Sequence, residues 1–313
     1  MDVAHLENVR LYTQLGEDFR SPLSFMLFHL HYSRLVNRFI SKPFANYIYK
    51  RQYQPSFPNN KPLCIIFLCD KPDIYNNEKY INILKQKNKG IKLVLYIVDI
   101  IDSNKNLDIK YAKDTFDMVI SYDANDAKKY GLFYYPTPHS NLHPDDDDTL
   151  MSDVYFCGKA KSKERLTKIL RIFELCKEQG LKCDFYITEV ANNDIVYPDE
   201  IKYNKQVSFM ENCRHIIKTR AILEILQDNA LGFTPRLWDS IIHEKYLITD
   251  NKYLTDSNFY KPEGMFLLES NDIKKWEIAS FKEKLFTPLK YSEDFKAQIS
   301  PLNFIKFLET SLI

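Results

Sequence analysis

The chain has 313 residues, 45% of them hydrophobic, and a formal net charge of +1 at pH 7. That length is near the limit of one hydrophobic core, so two domains of about 150 residues are expected. The balanced charge gives no global field that would attract nucleic acid, and the six cysteines form no C-x-x-C pair or zinc spacing, which favours a reducing compartment.

The first 60 residues carry the weakest pattern. Ser21-Pro22 can open a helix that runs to about Ile40, and basic and aromatic residues follow as far as Arg51. Such a stretch can lie on an anionic membrane surface, or its helix can pack on the core. No apolar run of about 18 residues and no signal peptide is visible. The sequence therefore predicts a cytoplasmic protein, with residues 22–51 touching the inner face of the membrane as an alternative.

From Pro62 onward, predicted strands alternate with predicted helices, as in a doubly wound parallel sheet. The strands are expected at 63–68, 91–98, 117–121 and 132–135, and the helices at 76–87 and 123–130. Asp123 is expected to cap the second helix at its start and Gly131 at its end. Asp70, Asp99 and Asp102 follow strands, where parallel sheets bind ligands.

Residues 136–150 read as a linker, with three prolines and then four consecutive aspartates at 145–148. A metal site of the D-x-D kind is the alternative. Four adjacent carboxylates repel one another and stay hydrated, so a solvated linker is favoured. His139 and His143 are expected to be surface residues.

A second alternating region begins at Asp153. A strand at 154–157 leads into Gly158-Lys159-Ala160-Lys161, and the next strand brings Thr188 and Glu189 to the same end of the sheet. Further elements are expected as helices at 163–179 and 210–218 and as strands at 183–187, 207–209 and 265–268. Glycine and lysines after a first strand suit phosphate, although lysines are common in this chain.

Residues 222–251 read as a strand, a glycine-containing loop, a helix and a second strand. The loop 227–234 contains Gly232, and the helix is expected at 235–243, with Thr234 as its N-cap. The free N–H groups of a helix N-terminus suit phosphate, and Arg236 would add a bidentate donor. An ordinary turn before a helix is the alternative. Glu224 lies within an apolar strand, so it is expected to be paired or functional.

The residue pattern of 222–251 resembles that of the carboxyl-terminal domain of bacterial GT-B nucleotide-sugar glycosyltransferases from capsule and lipopolysaccharide gene clusters. Their pattern G-x-T-x-R-x-x-E, followed by a strand ending in T-N-N, corresponds to Gly232, Thr234, Arg236, Asp239 and the run 247–251. Asp239 stands where the family usually has Glu, and the E-x7-E pattern of retaining enzymes is absent because Leu231 lies eight residues before Asp239. The stretches DVYFCGKAKSKERL and FDMVISYDANDAKKYGLFYYPTPHS carry the same likeness.

The resemblance implies an α/β, GT-B-like fold with two Rossmann-like domains, at 1–148 and 149–313, and a cleft between them. It implies transfer of a sugar, from a UDP-sugar in the favoured case, to a surface-polysaccharide or lipid-linked acceptor, without metal or further cofactor and without nucleic acid. The donor-binding residues it indicates are Gly158, Lys159, Lys161, Thr188, Gly232, Phe233, Thr234, Arg236 and Asp239. Phe209 and Met210 are expected near the nucleotide base. Asp99 and Asp70 are the candidates for a base toward the acceptor.

Two other functions stay open. A GT-B-like subunit without catalysis could assist another transferase, which would suit the Asp at position 239 and the atypical first 60 residues. A nucleotide-sugar epimerase could use the same scaffold. No P-loop or G-x-G-x-x-G fingerprint is present, so an NTPase or a dehydrogenase is disfavoured.

Overall fold

The computed structural model describes residues 9, 21–51, 63–69, 75–87, 89–104, 107–142, 149–227, 232–268, 272–276 and 278–312. Asp70, His143 and the aspartate run 145–148 lie outside the described residues. The described residues form two compact units. The carboxyl-terminal unit is Thr137–Lys306, and the amino-terminal unit holds the residues up to Pro136 together with those from Phe307 onward.

The amino-terminal unit contains a sheet of four parallel strands in the order β1-β2-β3-β4. The elements are α1 (Pro22–Tyr32), α2 (Arg34–Asn37), α3 (Ala45–Arg51), β1 (Cys64–Leu68), α4 (Glu78–Lys87), β2 (Lys92–Ile97), α5 (Ile109–Thr115), β3 (Met118–Ser121), α6 (Ala124–Tyr130) and β4 (Phe133–Tyr134). Each strand is joined to the next through a helix, as parallel pairing requires. Leu93, Leu95 and Ile97 on β2 are fully buried among the residues of this core.

The sequence predictions for this unit contain one error and one omission. The single helix expected to run to Ile40 breaks at Ser33, whose extended backbone (φ −67°, ψ 122°) ends α1 and whose hydroxyl caps α2. The helix α5 was not predicted, although Asp108 caps it by accepting from the Tyr111 N–H at 3.0 Å. The predicted caps of α6 are both present, with Gly131 in the left-handed region at φ 59°.

The carboxyl-terminal unit contains six parallel strands in the order β10-β9-β8-β5-β6-β7. Its elements are β5 (Ser152–Lys159), α7 (Lys163–Glu178), β6 (Cys183–Thr188), β7 (Lys202–Tyr203), α8 (Phe209–Ile217), β8 (Thr219–Glu224), α9 (Pro235–Ile242), β9 (Tyr246–Thr249), β10 (Met265–Leu267), α10 (Ala279–Leu285), α11 (Glu293–Ala297) and α12 (Pro301–Ser311), whose last residues belong to the other unit. Counted within the unit, the order is 3-2-1-4-5-6, which is that of the dinucleotide-binding fold. The order reverses between β5 and β8.

The prediction of a strand at 207–209 is wrong. Ser208 instead caps α8 by accepting from the Glu211 N–H, and the Glu211 side chain accepts in return from the Ser208 N–H. A Ser with Glu three residues later is a local helix-start signal, and here it prevails over the apolar residues of the segment. The edge strand expected after residue 264 is present as β10.

Helix α9 is held firmly against the sheet. Leu237, Trp238 and Ile241 are each at most 1% exposed, in a cluster that includes Phe259 and Phe295. Burying a large apolar side chain stabilises by about 2–3 kcal/mol, so the start of this helix has a fixed position relative to the strand ends. Within the described residues, no helix has the length and apolar character needed to cross a bilayer.

Candidate functional site

The point where the strand order reverses lies between the carboxyl ends of β5 and β8. In open parallel sheets, ligands bind in the crevice that forms there. Gly158 lies near the end of β5, and Glu224 is the last residue of β8. The described residues on either side of 228–231 follow β8 and lead into α9, so Leu226 and the bend at 232–234 flank this point of the sheet.

Four residues hold the described ends of the loop between β8 and α9: Thr249 at the end of β9, the two residues that follow it, and Glu224 at the end of β8. The Asp250 carboxylate accepts from the Leu226 N–H at 2.8 Å, where the loop begins. The Asn251 side-chain amide donates to the Gly232 carbonyl at 3.3 Å, near the loop's end. The Thr249 hydroxyl accepts from the Asn251 N–H at 3.0 Å and donates to Glu224 at 2.6 Å. The run Thr249-Asp250-Asn251 therefore fixes both ends of the loop.

Glu224 is the centre of this network. Its side chain is fully buried and accepts from the hydroxyls of Thr234 and Thr249. Burial raises the pKa of the Glu224 carboxyl above its ordinary value of 4.5, while the two hydroxyls and the charge of Arg236 act to lower that pKa. The buried carboxylate thus joins the N-cap of α9 to the end of β9.

Arg236 reaches from the first turn of α9 to the end of β5. Its guanidinium donates to the Cys157 carbonyl and lies 5.5 Å from the centre of the Phe156 ring. A Cβ at position 158 would lie 2.7 Å from the Arg236 Nη2 atom, so the guanidinium in this position uses the space that glycine leaves open. Arg236 is partly exposed and forms no ion pair with any residue that the structure describes. Tertiary structure thus brings Gly158 and Arg236 together.

The expectation that the first N–H groups of helix α9 are free is wrong. Pro235 has no N–H, the Arg236 N–H donates to the Thr234 hydroxyl at 3.2 Å, and the Leu237 N–H donates to the Thr234 carbonyl at 3.1 Å. The capping arrangement occupies those donors. Within the described part of the chain, the N–H groups of Gly232, Phe233 and Thr234 have no acceptor, and these three residues are partly exposed. The donors available to an anion therefore lie in the bend before the helix.

Of the two lysines of the first βα turn, Lys159 already forms an ion pair. Lys159 pairs with Glu189 at 2.7 Å, and this contact and the charge of Lys161 lower the pKa of the Glu189 carboxyl. Lys159 also stands opposite Thr188 in the β5–β6 register, and the Thr188 carbonyl accepts from the Ala160 N–H at 2.8 Å. Lys161 is exposed. An anion near this turn would compete with Glu189 for both lysines.

Asp239 lies in an environment that neither sequence interpretation foresaw. It is 9% exposed, and its Oδ1 atom lies 2.6 Å from His139 Nε2. The exposed-carboxylate alternative for Asp239 is therefore wrong, and so is the expectation that His139 is an ordinary surface residue. His139 is also held by its backbone N–H, which donates to the Ile299 carbonyl at 2.7 Å. The pair ties the start of this unit to α9, one turn after Arg236.

The remaining predicted residues lie apart from this network. Phe209 and Met210 begin α8 and are 66% and 45% exposed. Asp99 follows β2 in the amino-terminal unit, is exposed, and accepts from the N–H of Ile100 at 2.9 Å. Asp70 lies outside the described residues. No group of three or more His, Cys, Asp or Glu side chains among the described residues has an arrangement that could hold a metal ion.

Comparison with solved structures adds the fold class. No family model matches the sequence, and no curated protein matches it. The chain resembles the crystal structure of TarM with a TM-score of 0.50 and 11% identity, over 79% of this chain and 54% of that one. It therefore spans about half the length of TarM. The chain has a GT-B fold, as its sequence predicted, with two Rossmann-like units.

Weaker likenesses include two proteins that were solved with nucleotides. An α-glucosyltransferase in complex with UDP and a 13-mer DNA matches with a TM-score of 0.46 and 13% identity, over 80% of this chain and 79% of that one. The UDP-GlcNAc 2-epimerase of Methanocaldococcus jannaschii, in complex with UDP-GlcNAc and UDP, matches with a TM-score of 0.44 and 14% identity, over 80% and 77%. At such identities the likeness concerns the fold alone.

Sequence reasoning missed the contribution of Cys157, Thr249, Asn251 and His139 to the site. Thr249, Asp250 and Asn251 were recognised as a strand end, and their separate roles depend on which part of the loop lies above each of them. The sequence did single out Glu224 as paired or functional, because an acidic residue inside an apolar strand needs a partner, and the structure shows that it is paired. Its partner at 249 follows from the β8–β9 register, in which Glu224 stands opposite Thr249, and its partner at 234 is the N-cap of α9.

Proposed function

We propose that this protein is a glycosyltransferase that moves a sugar from a nucleotide diphosphate-sugar, most simply a UDP-sugar, to a saccharide acceptor. The observation that carries the proposal is the bend at Gly232–Thr234. It presents backbone N–H groups that no described residue accepts from, beside a partly exposed guanidinium, at the strand-order reversal of a six-stranded parallel sheet. Backbone N–H groups together with an Arg form an anion-binding arrangement of the kind that a diphosphate requires.

The chemistry follows from where charge develops. As the bond between the sugar and the diphosphate breaks, negative charge builds on the leaving phosphate. Donors that are already in place stabilise that charge without reorganising at the moment of reaction. The network through Glu224, Thr249 and Asn251 holds the bend before any ligand arrives. Arg236 would turn from the Cys157 carbonyl, or share its donors with it, to contact the diphosphate.

Other residues have proposed roles around the donor. Gly158 leaves space for the guanidinium, Lys159 and Lys161 with Thr188 border the first βα turn, and Phe233 belongs to the bend. Asp239, held by His139, would accept hydrogen bonds from the ribose hydroxyls. Phe209 and Met210 offer exposed apolar surface for the base. All of these belong to the carboxyl-terminal unit.

The proposed acceptor is a surface-polysaccharide or lipid-linked saccharide, as in the capsule and lipopolysaccharide enzymes that the sequence resembles. Asp99 is the described candidate for the base that removes a proton from the acceptor hydroxyl, since it is exposed and its carboxylate binds only its neighbour's N–H among the described residues. Asp70 remains the second candidate. A positioned base contributes about 10²–10⁴ to a rate.

The deciding experiment is isothermal titration of UDP and other nucleoside diphosphates into the wild type and an Arg236→Ala variant. Loss of a charge-assisted phosphate contact of about 1.4 kcal/mol or more should weaken binding at least tenfold. Arg220→Ala is the matched control, because Arg220 lies on β8 away from the carboxyl end and pairs with Asp153 at 3.2 Å. No binding of any nucleoside diphosphate, or equal loss in both variants, would contradict the proposal.

Assays with donor sugars separate the two other functions. Conversion of the donor without any acceptor would indicate an epimerase. Binding of nucleotide without turnover of any donor would indicate a non-catalytic partner subunit. Transfer that depends on acceptor, and that falls at least tenfold in Arg236→Ala, is the result expected of the glycosyltransferase.

A further inference from the structure

The amino-terminal unit displays an unusual surface between residues 21 and 51. Twenty large apolar side chains are exposed in the described part of the chain, and eight of them lie between Leu23 and Tyr47. The eight are Leu23, Phe25, Met26, Leu35, Phe39, Ile40, Phe44 and Tyr47. Phe39 is 80% exposed and Leu35 is 72% exposed. A soluble surface scatters such residues singly, so this concentration indicates a surface that binds something.

The charge of the same stretch has one sign. Residues 21–51 contain five basic residues, namely Arg34, Arg38, Lys42, Lys50 and Arg51, and no aspartate or glutamate. In a chain whose net charge is only +1, this is a local excess. Neither Arg34 nor Arg38 forms an ion pair with a residue that the structure describes. The surface therefore combines exposed apolar groups with two arginines, Arg34 and Arg38, that pair with none of the described residues.

The two kinds of side chain stand next to each other around α2. Arg34 and Arg38 are four residues apart, as are Leu35 and Phe39, so each pair shares one side of a helical turn. The turn extends beyond α2, since the Phe39 N–H donates to the Val36 carbonyl at 3.0 Å and the Ile40 N–H donates to it at 2.9 Å. Basic and apolar residues thus form adjacent stripes on a single short segment, bounded by the capping Ser33.

We propose that residues 21–51, called here the basic apolar face, bind the surface of an anionic phospholipid membrane. The exposed aromatic and aliphatic side chains would enter the boundary between headgroups and acyl chains, while the arginines and lysines would bind lipid phosphates. A second copy of the chain is a poorer occupant, because a face-to-face dimer would bring two sets of five positive charges together. The proposal is independent of the donor site, which lies in the other unit.

Cosedimentation of the full chain with vesicles tests the proposal. Vesicles of phosphatidylcholine with phosphatidylglycerol should bind the protein, those of phosphatidylcholine alone should bind it at least tenfold more weakly, and added salt should reduce binding. The double change Arg34→Gln and Arg38→Gln should weaken binding about tenfold or more. The matched control is Lys284→Gln with Lys290→Gln, two exposed lysines of the carboxyl-terminal unit, which should bind as the wild type does.

A second variant reports insertion directly. The chain has two tryptophans, and both are buried, at 1% exposed for Trp238 and 4% for Trp276. A Phe39→Trp variant therefore adds a single exposed reporter, whose fluorescence should shift to the blue and be quenched by lipids with brominated chains. Phe39→Ser should weaken binding to anionic vesicles, whereas Phe286→Ser, at a residue 54% exposed in the other unit, should not.

Three results would overturn the proposal. The first is equal binding to neutral and anionic vesicles. The second is equal loss of binding in the face variants and their controls. The third is no vesicle binding together with a concentration-dependent dimer that Phe39→Ser dissociates, which would assign the face to contact between copies. Circular dichroism spectra that match the wild type would show that each variant is folded.

Discussion

Two carboxylates at strand ends, one in each unit, have opposite surroundings. Glu224 ends β8 of the carboxyl-terminal unit, is fully buried, and accepts from two threonine hydroxyls. Asp99 follows β2 of the amino-terminal unit, is exposed, and binds only the Ile100 N–H among the described residues. Asp99 was singled out because it follows a parallel strand, and Glu224 because it is an acidic residue within an apolar strand. The difference in surroundings indicates that Glu224 builds a site and that Asp99 is available to a ligand.

The difference between Glu224 and Asp99 has a physical reason, which is whether protein donors already fill the hydrogen-bonding capacity of the carboxylate. A buried carboxylate must have its acceptors filled by protein donors, so Glu224 can act only on its neighbours, by holding the bend at Gly232–Thr234. An exposed carboxylate keeps free lone pairs that water occupies and a substrate hydroxyl can replace. The donor site would then be fixed in advance, while the acceptor side could adapt to its saccharide.

The largest expected effect is on Glu224. Glu224→Ala should lower the free energy of unfolding by about 3 kcal/mol, because it leaves the buried Thr249 hydroxyl and the partly buried Thr234 hydroxyl without their acceptor and removes the carboxyl beside Arg236. Urea unfolding measures this. Glu200→Ala is the matched control, since Glu200 forms an exposed pair with Lys177 at 2.8 Å, and it should lose less than about 1 kcal/mol. Equal losses would show that Glu224 is not the centre of the network.

An intermediate effect is expected at Gly158. The new Cβ of Gly158→Ala would lie 2.7 Å from Arg236 Nη2 and 3.1 Å from the Phe156 ring, so the unfolding free energy should fall by about 1–2 kcal/mol. In an Arg236→Ala background the closest contact is gone, and the loss should be about 1 kcal/mol smaller. A double-mutant cycle by urea unfolding measures the coupling. The same loss in both backgrounds would contradict the contact between position 158 and the guanidinium.

The smallest effect on stability is expected at Asp99. Asp99→Asn should change the unfolding free energy by less than about 0.5 kcal/mol, because an exposed residue without a buried partner contributes little. Asp126→Ala in the same unit should lose about 1–2 kcal/mol, since Asp126 is buried and accepts from the Ile101 N–H at 2.8 Å. Thermal or urea unfolding compares them. A loss at Asp99 as large as that at Asp126 would remove the contrast between the two strand ends.

The sequence by itself determined the features that depend on near neighbours. Alternating strands and helices, the caps at Asp123, Gly131 and Thr234, and the loop that carries Gly232 were all predicted, because a cap or turn is decided by residues within about four positions. Where two local signals competed, as at Ser33 and Ser208, the capping hydroxyl decided the outcome. The resemblance of the motif around Arg236 to that of GT-B glycosyltransferases predicted the fold class.

Only the tertiary structure decided which distant groups meet. Arg236 and the Cys157 carbonyl are 79 residues apart in the chain, and His139 and Asp239 are 100 apart. Their contacts depend on strand order and register. No local pattern encodes these, because the hydrophobic pattern of a strand is the same whichever strand it pairs with. Local sequence therefore predicted that a loop and an arginine would be present. The packing of β5 beside β8 decided that a glycine, a buried glutamate and that arginine would lie at the same edge of the sheet.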